Sequence, residues 1–235
     1  MEKVMITLRS DEVDDAWCER LRGEVSAELL ATGVPGLAVN VRDAVVRDSL
    51  MTLTTLDPPV MAVVSVWTQQ YYGGQVAAVV ERLARECAEA AAYLVTESVP
   101  LAPPTPSPGE RAAGLVNVAL LRRPAELDEA SWLERWHVDH TPVALATQAT
   151  SGYVQNTVVR ALTPAAPELS ALVEETFPLD AVSDLRAFFG AADDADLGDR
   201  MRRMLASTGR FGADRDVDTV PSSRYVFRTP FAPTT

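Results

Sequence analysis

Apolar and polar positions along this chain follow two alternating periods, and the switches between them mark out the elements. Residues 3–8 alternate as a strand does. Residues 11–32 then carry Trp17, Leu21, Val25 and Leu29 at four-residue spacing, the stripe of an amphipathic helix. Ser10 is placed to cap that helix. Asp11, Glu12, Asp14 and Asp15 fall in its first turn, where the positive helix end favours acids, and Gly33 and Pro35 stop it. Residues 36–41 form a strand, and the segment to Leu56 is read as its extension into a hairpin. After Asp57-Pro58-Pro59, residues 60–67 give a strand, 75–88 a helix and 91–99 another strand. Strand, helix, strand, strand, helix, strand is the split βαβ, or ferredoxin-like, unit.

Residues 101–109 (LAPPTPSPG) hold four prolines in nine positions. Proline donates no ladder hydrogen bond and breaks helices, so this stretch is read as a stiff connector that cannot pair in a sheet. Beyond it the order repeats: a strand at 114–121 and a helix from Asp128 to about 150, with Ser131 and Glu134 as a second capping box. Strands follow at 152–162 and 169–177, helices at 179–189 and 197–207, and a last strand at 217–227, where Pro221 marks an edge or bulge. Trp17, Leu21 and Val25 align with Trp132, Trp136 and His140 at a constant offset of 115 residues. Gly36-Leu-Ala-Val-Asn40 aligns with Gly152-Tyr-Val-Gln-Asn156 one residue later. The implied organisation is an N-terminal half at 1–101, a Pro-rich linker at 102–110 and a C-terminal half at 111–235. A single ferredoxin-like sheet leaves one face bare, and two bare faces bury each other. The predicted class is α+β: two tandem ferredoxin-like halves packed as an intramolecular dimeric α/β barrel, each with a pocket between sheet and helices.

Composition narrows the partners. A net charge of −12 without a basic stripe repels phosphate backbones, so no nucleic acid is expected. No stretch is long and apolar enough to span a bilayer and the N-terminus has no signal core, so a cytoplasmic protein with no membrane partner is expected. Cys18 and Cys87 are too few and too far apart for a disulfide framework or a metal cluster and read as small buried hydrophobes. The chain shows no phosphate-cradling glycine loop, dinucleotide fingerprint or nucleophile elbow. A nucleotide cofactor and acyl-enzyme chemistry are therefore not expected, and the cofactor expectation is none.

The candidate chemistry sits between Asp128 and Val159, which holds both histidines of the chain, His137 and His140. His140 stands on the stripe of Trp132 and Trp136, at the position Val25 occupies in the first half. An imidazole in an apolar stripe costs desolvation and needs a partner. It is either a satisfied core residue or a poised acid–base group whose burial keeps it neutral. His137 points away from the stripe; with His140 it makes a two-histidine set, which alone is a poor metal site, so no metal is expected. Tyr153, Gln155 and Thr157 share one face of their strand, and Asn156, with its twin Asn40, is read as serving backbone geometry. Asn117 interrupts an apolar run. Glu174 and Glu175 face opposite ways: solvent exposure at a strand end is the plain reading, and an inward Glu175, with Phe177, is the functional one.

The spacing Trp136-x-x-x-His140-x-Pro142 followed by Gly152-Tyr153-Val154-Gln155-Asn156, with the later runs 171–186 and 204–214, resembles the EthD domain family of the dimeric α/β barrel superfamily. The likeness covers roughly residues 112–228; the first half lacks the His-x-Pro element, and the segment near Ser207 departs from an acidic pair often found there. The resemblance implies a small aromatic or polyketide-like substrate held between sheet and helices. The candidate catalytic residues are then His140 and His137, and the candidate substrate-binding residues Trp136, Tyr153, Asn117, Glu175 and Phe177. The expected reaction is a cofactor-independent, histidine-mediated proton transfer giving decarboxylation, dehydration or cyclisation, a lyase-type chemistry. Cofactor-free monooxygenation is the rival. A non-catalytic small-molecule or haem-binding protein, with His140 or His137 as axial ligand, is the alternative of another class. The expected assembly is a monomer with an internal pseudo-dimer, or a homodimer.

Overall fold

The computed structural model describes residues 1–231. Its strands are β1 (Glu2–Arg9), β2 (Gly36–Val41), β3 (Val60–Thr68), β4 (Glu89–Leu101), β5 (Leu115–Leu121), β6 (Gly152–Ala161), β7 (Ala171–Phe177) and β8 (Asp218–Arg228). They close into one antiparallel barrel in the order β1-β3-β2-β8-β5-β7-β6-β4. The first four strands are neighbours as β4-β1-β3-β2 and the last four as β8-β5-β7-β6, the same relative order twice.

Helix α1 runs as Asp15–Arg20, a π-helical turn at Leu21–Val25, and Ser26–Ala31; α3 runs as Glu129–Leu133, a π-helical Glu134–His140, and Thr141–Thr147. Both wide turns end on a hydroxyl that bonds the carbonyl five residues back. Ser26 Oγ donates to Leu21 O at 2.8 Å and Thr141 Oγ1 to Trp136 O at 3.2 Å, again 115 residues apart. The remaining helices are α2 (Gly74–Ala84), α4 (Leu185–Phe189) and α5 (Asp194–Thr208). Among the described residues, none is long and apolar enough to cross a membrane.

Alternation along each strand splits the side chains between lumen and outer layer. Met5, Val63, Tyr93, Val116, Val118, Leu172 and Val220 pack together inside the barrel. Outside, Ile6, Val39, Val64 and Ala92 meet Trp17, Leu21, Val25 and Leu29 of α1 and Val76, Val79 and Leu83 of α2. Val25, the counterpart of His140, is fully buried there. Cys18 lies in the same layer as a free thiol, pushed by burial up to about 11.

Several sequence expectations are corrected. Helix α1 starts at Asp15 on an Asp14 cap, because the Asp14 carboxylate accepts Trp17 N–H at 2.7 Å; Ser10 instead accepts Ala88 N–H. Residues 179–189 are a 3-10 turn at Leu179–Val182 followed by the short α4. The segment after β2 is no hairpin arm but a chain of turns carrying one isolated bridge, Leu53 to Thr219. The Pro-rich connector does pair at its ends: Leu101 lies opposite Tyr153, and Gly109 N–H reaches Val226 O at 2.8 Å. A Cβ on Gly152 would come within 2.6 Å of Pro103, so this approach needs glycine there. Pro221 lies in a closed barrel rather than at an edge; it is opposite Asn117 of β5, on a stretch of β8 that β2 does not reach. Positions 232–235, the end of the predicted C-terminal half, lie outside the described residues.

Candidate functional site

The layer outside β5, β6 and β7 is built differently from its counterpart over the first four strands. Here α3, α4 and α5 leave a cavity of about 350 Å³. Its floor is a cross-strand row, since Glu175 of β7 lies opposite Asn117 of β5 on one side and Tyr153 of β6 on the other. Its walls are Trp136, Phe188, Phe189, Met201, Met204 and Phe211, and His140 enters from α3.

Of the residues singled out from sequence, Trp136, His140, Tyr153, Asn117 and Glu175 line this one space. Phe177 stands behind it, stacked on Phe188 at 4.1 Å between ring centroids. His137 lies outside the lining, half-buried and edge-on to Trp136 at 4.3 Å. Its Nε2 is enclosed without a partner. Neither glutamate is solvent-exposed as a strand end would be: Glu174 is 4 % and Glu175 9 % exposed.

His140 is 6 % exposed, and its Nδ1 lies 2.9 Å from Ser207 Oγ of α5. Burial lowers its pKa to about 4, so the ring is neutral at physiological pH. Glu175 has the opposite problem. No hydrogen bond or ion pair among the described residues reaches its carboxyl, and burial alone raises its pKa to about 7. Burial, aided by the Glu175 charge, also pushes the Tyr153 phenol above its ordinary range. Asn117 Oδ1 and Gln148 Oε1, both in the lining, are buried without partners. An apolar chamber with a few unpaired polar groups converging on it, one of them titrating near neutrality, has the make-up of a small-molecule site.

Sequence reasoning missed Ser207, Gln148 and the α5 side chains Met201 and Met204. Ser207 is the single buried position of α5, a signal visible only once the helix is placed. It is not part of the cavity lining, so its hydroxyl is a partner for the imidazole rather than a nucleophile facing a ligand. Gln155 also serves α3, donating from Nε2 to Thr141 Oγ1 at 2.9 Å and so fixing the end of the wide turn that presents His140. Asn40 and Asn156 face the lumen, where both donate to Glu174, at 3.1 and 3.3 Å, and do more than shape backbone. No group of three or more metal-ligating side chains occurs among the described residues.

No family model and no curated protein matches this chain. Among solved structures, an anthrone oxidase-like protein matches over 100% of this chain and 97% of its own, with a TM-score of 0.53 at 9% identity. Chlorite dismutase from Candidatus Nitrospira defluvii matches over 95% of this chain and 90% of its own (TM-score 0.49, 12% identity). A protein described as a candidate monooxygenase from Lactobacillus acidophilus matches over 97% and 96% (TM-score 0.43, 10% identity). The first of these likenesses shows the fold, a closed eight-stranded antiparallel barrel with helices outside it, and at that identity it shows the fold alone.

Proposed function

We propose that this protein is an enzyme that needs no organic cofactor and moves a proton on a small aromatic, polyketide-like molecule bound in the cavity under α3 and α5. The observation that supports this most is the unpartnered Glu175 carboxyl, raised to about 7, beside a neutral His140 in an apolar chamber. A base is most effective when its pKa lies near the working pH, and Glu175 meets that condition better than His140 with its pKa of about 4. The division of labour therefore shifts from the one expected from sequence: Glu175 accepts the proton and His140 steadies the charge. With Ser207 donating to Nδ1, His140 carries its proton on Nε2 and donates toward the oxygen on which negative charge develops. Trp136, Tyr153 and Phe211 hold the ring system, and Asn117 orients a polar substituent.

The same first step opens two courses. In the first, Glu175 returns its proton: to a hydroxyl that leaves as water in dehydration, to the ring carbon that has lost CO2 in decarboxylation, or to the alkoxide formed when the carbanion attacks a carbonyl in cyclisation. In the second, the carbanion or phenolate reacts with dioxygen as the oxidant, one oxygen entering the product and the other leaving as water. The neighbour named anthrone oxidase-like favours keeping the second course. The His140-x-Pro142 and Gly152–Asn156 elements keep the EthD domain as the family that residues 112–228 resemble. The repeated strand order, the paired π-helical turns and the alignment at 115 residues support two tandem ferredoxin-like halves at 1–101 and 111–235, joined by 102–110.

Anthrone, whose ring methylene is acidic, serves as the probe. In D2O under argon, NMR should show the protein accelerating deuterium exchange at that methylene, and Glu175→Gln should lower the rate by about 10²–10⁴-fold with an unchanged circular dichroism spectrum. An exchange rate equal in wild type and Glu175→Gln contradicts the proposal. Oxygen uptake in air separates oxygenation from the lyase-type courses, and a porphyrin absorbance band on adding haem would favour the haem-binding alternative instead.

A further inference from the structure

The connection between β2 and β3, residues 42–59, leaves the strands it joins and crosses onto the other side of the barrel. Val46 is fully buried among Leu115, Phe177, Ala181, Phe188 and Phe189, the aromatic cluster behind the cavity. Leu50 N–H reaches Val182 O at 3.0 Å, and Leu53 is clasped to β8 by Leu53 N–H to Thr219 Oγ1 at 2.8 Å and Thr219 N–H to Leu53 O at 2.9 Å. Asp218, 3 % exposed, then takes Thr55 N–H at 2.6 Å, the Thr55 hydroxyl at 2.7 Å and Leu56 N–H at 3.0 Å, with Arg122 at 2.9 Å on its second oxygen. The strap so anchored places Met51 and Leu53 in the cavity lining, opposite α5.

Joining two antiparallel strands takes a few residues, and long ordered connections in compact domains are usually functional. This one is tied by its main chain at Leu50, Leu53, Thr55 and Leu56 and by the buried Val46 side chain; Met51 also packs against the Val46 cluster, while the Leu53 side chain is half-exposed. Leu53 is 49 % exposed, at the mouth rather than in the floor. We infer that the strap, donated by the half whose own helix layer is filled with apolar side chains, sets which ring systems enter, with Met51 and Leu53 as its size-determining residues. A pocket wall rejects a ligand by steric overlap and admits a larger one when trimmed. This rests on the cavity being the binding site proposed above.

The test is calorimetric titration of the full chain with 2-naphthol, anthrone and 1-hydroxypyrene, probes of two, three and four fused rings. Wild type is expected to bind the smaller two more tightly than the four-ring probe. The Met51→Ala/Leu53→Ala double variant should raise affinity for 1-hydroxypyrene relative to 2-naphthol by about tenfold, while Leu53→Trp should move the ratio the other way. Leu50→Ala, at an exposed strap position outside the lining, should leave it unchanged. An unaltered ratio in both the double variant and Leu53→Trp, with binding intact, overturns the strap's role alone. Binding of no probe by any form overturns the site itself, and the strap's role with it.

Discussion

Burial drives two side chains of the cavity lining, His140 and Glu175, toward neutrality from opposite directions. His140 falls from 6.5 to about 4, so its contribution is lost as pH drops through that window: the unfolded chain takes up the proton first. Glu175 rises from 4.5 to about 7, so its contribution is present below 4.5 and is lost as pH increases to 7, because there the folded chain holds the extra proton. Each effect amounts to about 3 kcal/mol at full extent. Between 4.5 and 6.5 they oppose one another, and the wild-type denaturation midpoint should change little. Glu175→Gln should unmask a stability that rises with pH across 4 to 6.5, and His140→Gln one that falls from 4.5 to 7; urea titrations at a series of pH values read both. His140 was legible in the sequence because an imidazole interrupts an apolar stripe whose twin is Val25. Glu175 was legible only as one of two alternatives, since strand parity says that Glu174 and Glu175 face opposite ways but not what covers either face.

Helix α3 presents His140 through a widened turn, and α5 supplies the partner that orients it. The turn was invisible in a four-residue stripe, because one extra residue per turn leaves Trp132, Trp136 and His140 on roughly the same side. Ser207 was missed for a related reason: periodicity gives the buried face of a helix, not the height at which it meets another helix. Ser207→Ala removes the hydroxyl beside Nδ1. In nitrogen-15 NMR the wild-type ring should show one tautomer, protonated on Nε2, and the variant a mixture, with stability reduced by about 1 kcal/mol. An unchanged tautomer in the variant would show that α5 does not set the ring. The segment after β2 was misread as a hairpin arm because its turns obey local rules while its anchors, Thr219 and Asp218, lie in the last strand.

The barrel as a whole followed from a bare sheet face that had to be covered. What joins its two sides inside did not follow, because Lys3, Glu97, Glu174 and Arg224 each look like surface charges in sequence. In the lumen, Lys3 donates to Glu97 at 2.5 Å and to Glu174 at 3.1 Å, Arg224 pairs with Glu174, and Asn40 donates to it from β2. Burial alone would raise the Glu174 carboxyl, but Arg224 and Lys3 outweigh it and hold it well below the usual carboxylate range. Glu174→Ala would strand the Arg224 guanidinium and leave Lys3 with Glu97 as its one carboxylate, costing about 3–5 kcal/mol; a guanidinium midpoint unmoved by it would mean the lumen charges do not tie the barrel together. Those charges occupy the lumen face of β7; Glu175, the next residue along, is buried on the other face with no partner among the described residues, its pKa raised to about 7. Infrared titration of the protonated-carboxyl band, wild type minus Glu175→Gln, measures this directly. One carboxyl titrating near pH 7 and missing from the variant is the predicted result; a difference that titrates near 4.5, like a carboxylate in water, would contradict the account.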